Sequence, residues 1–224
     1  NNYYIDNDEV KNKYITCTDK IGSGLILSNK ECIITDENDS TSIYRTKIPF
    51  INLTGKNFDY VNKLFMDDFN ETNKYVTYHS DPVTKLVTLS KLSVMDYKYY
   101  DNDDILSIII KKDPITISGE KKNPQYKFYN IDKTTGEIIT NNDLFTKKNI
   151  DIKSKLYDIK DVIKEIYIKE LEYDIDGNEE DNNVTKYYNA FSILNINDIY
   201  LNENNNIVAL IELPIPFWNN DTEL

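Results

Sequence analysis

Arginine occurs once, at Arg45, and histidine once, at His79. The 26 basic residues face 38 acidic ones, a formal net charge of -12. A phosphate backbone needs a basic face, so this balance excludes nucleic acid as a natural partner. It also repels an anionic membrane surface and draws a cationic partner by long-range attraction. A single histidine leaves a zinc site short of ligands and a His-based triad without spares. The only cysteines are Cys17 and Cys32, too far apart for a thioredoxin-like pair. They either close a disulfide, worth roughly 3 kcal/mol in loop-closure entropy, or stand as buried free thiols. Glycine is scarce, and Gly22-x-Gly24 lacks the third glycine and the βαβ setting of a dinucleotide loop. No apolar run reaches the ~20 residues of a membrane-spanning helix, and no signal peptide is present. The start at Asn1-Asn2-Tyr3 reads as a segment whose leader or anchor lies outside it.

What the chain does have is length and aromatic mass. Its 224 residues allow one large domain or two small ones, and 18 Tyr and 8 Phe can fill a core. The richest stretch is Asp104 to Phe145. Ile105 to Ile110 is a β-branched run suited to a strand buried on both faces. Tyr126, Phe128 and Asn130 then alternate against Lys127, Tyr129 and Ile131, the pattern of a strand with one wetter face. Asp132 to Gly136 reads as a tight turn, with Gly136 supplying positive φ. A helix start follows at Asn141.

The flanks continue this pattern. Tyr14 to Thr18, Gly24 to Leu27, Cys32 to Thr35 and Ser42 to Ile48 read as strands, with Pro49 at a strand end or an edge. Phe58, Val61, Leu64, Phe65 and Phe69 share one helical face, with Asn57 as N-cap and Asp59 near the positive end of the dipole. Met95 to Tyr100 pairs with Ile105 to Ile110 as a hairpin across the acidic turn Asp101 to Asp104. A second helix is expected over 151–172, capped by Asp151 or Ser154, with Leu156, Ile159, Val162, Ile163 and Ile166 as its stripe. Ile199 to Asn202 and Ile207 to Leu213 close the chain as a hairpin. The fold class implied is α+β with mostly antiparallel sheets and two main helices. The expected division is a β-rich segment 1–44, a first α+β lobe 45–120 and a second lobe 121–224.

The candidate chemistry is thin. His79 reads as a surface histidine before Pro82. Asp174-x-Asp176-Gly177-Asn178 begins like a calcium loop, but Glu179 and Thr185 occupy the positions where an EF-hand needs glycine and a bidentate glutamate. It reads as a solvated acidic loop. No pair among the 38 acids is singled out for acid–base work. No catalytic residue, metal ligand or cofactor is assigned. Pro214-Ile215-Pro216-Phe217-Trp218 is the more suggestive segment, because prolines present Phe and Trp anchors rigidly.

Several segments together resemble a family. Ile48-Pro49-Phe50-Ile51-Asn52-Leu53, ahead of a helix carrying Val61-Asn62, resembles the opening of the exported domain of RsiV-type anti-sigma factors. PdaC-type peptidoglycan deacetylases and many Gram-positive lipoproteins carry the same domain type. Ile105-Leu106-Ser107-Ile108, Tyr129-Asn130-Ile131-Asp132 with Thr135-Gly136-Glu137, and Ile199-Tyr200-Leu201-Asn202 are similar to its strand and turn segments. The likeness spans roughly residues 45–220. Ser118-Gly119-Glu120 lacks the histidine many members carry there, and the family's C-terminal tyrosine and glycine are absent. The resemblance implies a non-catalytic α+β ectodomain, tethered to the outer face of a membrane through an anchor or held in the cell wall. In the RsiV branch it implies a protein partner, lysozyme, with Pro216, Phe217 and Trp218 as the partner-binding residues. In the lipoprotein branch it implies contact with peptidoglycan.

Overall fold

The computed structural model describes residues 15–35, 43–74, 77–80, 83, 87–116, 123–155, 157–158, 161–162, 165 and 198–210. The architecture is α+β with antiparallel sheets. By Cα proximity the chain divides into two compact units, Asn1–Ile138 with Tyr200–Asn206, and Ile139–Ile199 with Ile207–Leu224.

The first unit holds two sheets and a long helix. Strands β1 (Ile15–Ile21), β2 (Ile26–Thr35) and β3 (Ile43–Ile51) form one antiparallel sheet. Cys17 lies directly opposite Cys32, and the two form a disulfide. The segments Gly24 to Leu27 and Cys32 to Thr35 expected as separate strands are one strand, kept paired through a bulge between Ser28 and Lys30. A bulge absorbs the extra residue without ending the ladder. Pro49 faces Ser28 beside it, on a strand that lies at the edge of its sheet. There its missing N–H interrupts no second ladder.

The second sheet orders β4 (Thr77–Ser80), β5 (Val87–Asp101), β6 (Ile105–Thr116) and β7 (Gln125–Asp132). The expected β5–β6 hairpin forms, with Tyr97 opposite Ile110 and Asp101 opposite Leu106, so Met95 faces Lys112 rather than Ile110. It runs further than the alternation suggested, to Lys91 opposite Thr116. Pro114 is tolerated inside β6 because β7 stops at Gln125, opposite Lys112. Beyond that point β6 has one neighbour only, so a strand-interior proline costs no ladder bond on that side.

Helix α1 (Lys56–Lys74) buries Phe58, Val61, Phe65 and Phe69, with Leu64 half-buried. These residues share a core with Ile48, Ile51, Met95, Leu106, Ile108, Ile110 and Ile131. Phe65 meets Tyr129 edge to face, with centroids 5.1 Å apart, the geometry that aromatic quadrupoles favour. Asn57 is not the cap expected of it. It sits inside the first turn and donates Nδ2–H to the Thr135 carbonyl, 2.9 Å away. Asn62 is one of three buried polar residues of the helix, with Asp68 and Thr72. Its amide accepts from Ile51 N at 2.7 Å and donates to Ile51 O at 3.0 Å, pairing with the end of β3 as a strand would.

Asp132 to Gly136 is a turn, as expected. Asp132 Oδ1 accepts from the backbone N–H of Thr134 and Thr135, and Gly136 N donates to Asp132 O. Gly136 has φ 73°. A Cβ placed on it would lie 3.0 Å from Asn57 Cβ and from Phe58 N. The glycine thus serves both the turn and the close approach of α1.

In the second unit, α2 (Asn141–Lys147) is capped by Thr140, whose hydroxyl accepts from Asp143 N, and it buries Leu144 and Phe145. Helical turns follow at 152–155, 157–158, 161–162 and 165. Asp151 is their cap, its Oδ1 accepting from Lys153 N at 3.0 Å. Val162, expected on the apolar stripe, is 54% exposed. Strands β8 (Asp198–Leu201) and β9 (Ile207–Leu210) form a two-stranded sheet, of which Tyr200, Leu201 and the turn up to Asn206 belong to the first unit. Its turn is organised by Asn202 Oδ1, which accepts from Asn204 N and Asn206 N. No described helix is long and apolar enough to cross a membrane.

Candidate ligand-binding face

Side chains alternate across a strand, so the register of β5, β6 and β7 fixes which residues share a face. The face away from α1 carries three rows across the strands: Tyr100, Ser107 and Asn130; Lys98, Ile109 and Phe128; Asp96, Lys111 and Tyr126. β8 lies over the first row. Leu201 N donates to Ser107 Oγ at 3.0 Å, and Ser107 Oγ donates to Asn130 Oδ1 at 2.6 Å. These polar groups are buried and paired, so they hold β8 in a fixed place on the sheet.

That placement puts the Tyr200 ring between two others. Tyr200 stacks on Tyr100 at 5.4 Å and on Phe128 at 5.8 Å, with interplanar angles of 12° and 17°. Phe128 in turn meets Tyr126 at 6.2 Å, tilted by 31°. The four rings make one slipped row running from β5 to the outer end of β7. Tyr100, Tyr200 and Phe128 are half-buried, and Tyr126 is 36% exposed. Burial, with the Tyr100 hydroxyl beside it, raises the Tyr200 phenol above its ordinary range. Tyr200 therefore stays neutral at physiological pH.

The rim of the row is ionic, with three lysines against two aspartates. Asp96 accepts from Lys47 Nζ at 3.0 Å. Lys111 pairs with Asp113 at 2.6 Å, and that bond raises the Lys111 pKa. Lys98 is exposed in the same cross-strand row as Phe128, with Ile109 between them.

A second cluster lies on the α1 side. Asp68 is 5% exposed, and its Oδ1 accepts from both Lys112 and Lys127. Burial opposes the charge on Lys127, and the bond to Asp68 overrides it, so the Lys127 pKa is raised. Asp68 Oδ2 has no hydrogen-bond partner among the described residues. Two ammonium groups on one carboxylate oxygen leave no free base next to a nucleophile, so the arrangement is an electrostatic pin between α1 and the sheet.

Pro216, Phe217 and Trp218 lie outside the described residues, as does the acidic loop Asp174 to Asp181. His79 lies in β4 opposite Thr88. Asp101 to Asp104 is the turn expected, with Asp101 bonded to Lys133 Nζ. No group of three or more metal-ligating side chains occurs among the described residues. The aromatic row itself was half visible in sequence. Tyr126 and Phe128 alternate on one face of a strand, but Tyr200 arrives from a segment ~70 residues later, and no local pattern announces it. No family model, no curated protein and no solved structure matches this chain.

Proposed function

We propose that this chain is a non-catalytic binding domain that works on the outer side of a cell membrane. The row of four rings held rigidly on the second sheet carries the reading, because aromatic side chains on a fixed scaffold are favoured binding anchors. The Cys17–Cys32 disulfide supports an oxidising compartment. The resemblance to RsiV-type ectodomains supports a membrane-tethered sensor, and the net charge of -12 supports a basic protein partner of the lysozyme kind. In that reading, partner binding alters the ectodomain and signals across the membrane through an anti-sigma factor. The immobilised domain is expected to retain lysozyme at moderate salt and to release it progressively as salt screens the attraction. No retention at moderate salt sinks the lysozyme reading.

The aromatic row favours a second reading, a wall-associated lipoprotein domain that holds peptidoglycan for a neighbouring enzyme. Rings stack on flat apolar faces, and sugar rings offer such faces. Both readings predict that the purified domain leaves glycan substrates uncleaved.

A further inference from the structure

We infer that the open end of the aromatic row, built by Tyr126 and Phe128 with Lys111 beside Tyr126, binds a neutral chain of pyranose sugars. The inference rests on the reading of this chain as a binding domain and names the ligand and the site. Three observations carry it. First, the row is asymmetric. Tyr200 is stacked between Tyr100 and Phe128, whereas Tyr126, the last ring of the row among the described residues, is tilted by 31° and 36% exposed. Aromatic surface is thus offered at the β7 end. Second, the ligands that stack on aromatic faces are chiefly nucleobases and sugars. A net charge of -12 repels the phosphates that nucleobases bring with them, which leaves sugars. The axial C–H groups of a pyranose carry partial positive charge and meet the negative face of a ring favourably.

Third, the ionic rim is matched to an uncharged polar ligand. Asp96, Lys98, Lys111 and Asp113 project from the same face; Asp96 is paired with Lys47 and Lys111 with Asp113, which leaves the single charge of Lys98. In a chain this acidic, a patch so near to balance attracts or repels little by net charge. It supplies donors from lysine and acceptors from aspartate, the set that sugar hydroxyls and amides pair with. The sheet beneath is held by the β5–β6–β7 ladders, so little ordering cost falls on binding.

The test titrates the full chain with a soluble oligomer of N-acetylglucosamine and sediments it with purified cell walls. The wild type is expected to bind the oligomer with little salt dependence. Tyr126→Ala and Tyr126→Leu are each expected to weaken it about tenfold, since one ring contact is worth up to ~1.5 kcal/mol. Tyr126→Leu keeps apolar bulk, so its loss reports the ring face rather than folding. Tyr60→Ala, which removes a 58% exposed tyrosine from α1, is expected to bind as the wild type does. Sedimentation with walls that Tyr126→Ala leaves unchanged overturns the site while the binding-domain reading stands. Neither sedimentation nor oligomer binding overturns both. Salt-sensitive binding of polyuridylate that Tyr126→Ala abolishes overturns the neutral-sugar assignment.

Discussion

The strands β5, β6 and β7 make two faces from one register, and the faces are built on different terms. The face toward α1 is apolar and closed. Met95, Leu106, Ile108, Ile110 and Ile131 are all at most 1% exposed, and Phe65 and Phe69 fill the space above them. The face away from α1 mixes Ser107, Asn130, Lys98 and Lys111 with four rings, and β8 covers its first row and stacks Tyr200 on Phe128 of the second. A closed apolar face spends its side chains on packing, which is non-directional and insensitive to detail at the rim. The outer face relies on a few placed hydrogen bonds and leaves aromatic surface unspent. In one sheet, stability and recognition are thus divided between opposite sides.

The largest break in that comparison is expected on the α1 side. Phe65 is fully buried and meets Tyr129 edge to face. Phe65→Ala is expected to cost about 3–5 kcal/mol through lost transfer energy and the cavity left behind. Urea denaturation measures it, and a loss below about 1 kcal/mol would show that α1 is not what closes this face. The outer-face counterpart is smaller. Ser107→Ala leaves Leu201 N without its acceptor and Asn130 Oδ1 without its donor. The expected cost is about 1–3 kcal/mol, the penalty of an orphaned buried group. The rings should respond as well. Near-ultraviolet circular dichroism of the tyrosines is expected to change in Ser107→Ala, because Tyr200 would no longer be pinned between Tyr100 and Phe128. An unchanged spectrum would mean that stacking alone seats β8.

The two faces also differ in how far the sequence discloses them. The α1 side follows from periodicity. Phe58, Val61, Phe65 and Phe69 repeat at helical spacing, and the run Ile105 to Ile110 is apolar apart from Ser107, so both partners of the core are readable locally. The Asp132–Gly136 turn is readable for the same reason, since glycine and aspartate carry their conformations with them. What sequence hides there is the second duty of Gly136, its approach to Asn57 and Phe58, because that contact joins segments far apart in the chain. Asn57 shows the same limit. Its residue type suits a cap, but the nearby Thr135 carbonyl takes its donor instead. On the outer face nearly every defining contact is non-local. Tyr100, Phe128 and Tyr200 come from β5, β7 and β8, and the Ser107–Asn130–Leu201 network from β6, β7 and β8. Local pattern placed Tyr126 and Phe128 on one face of a strand with a single wetter face, but not which face that is or what stands beside them. The segment Pro216 to Trp218 that local pattern favoured lies outside the described residues.

The smallest expected effect separates the faces by titration. Tyr129 stands on the α1 side and Tyr200 on the other. Burial is the first cause that raises each phenol above its ordinary value of 10.0, with Tyr100 adding to the shift at Tyr200. A group whose folded pKa exceeds its unfolded one holds more protons folded than unfolded in the window between the two. Stability is therefore fully present below pH ~10 and falls as pH rises through the folded values. Lys111 and Lys127, raised by their bonds to Asp113 and Asp68, act in the same direction. Tyr129→Phe and Tyr200→Phe are each expected to remove part of the alkaline fall while changing stability at neutral pH by no more than about 0.5 kcal/mol. If neither variant reduced the alkaline fall, burial on the two faces would not be what holds these phenols protonated.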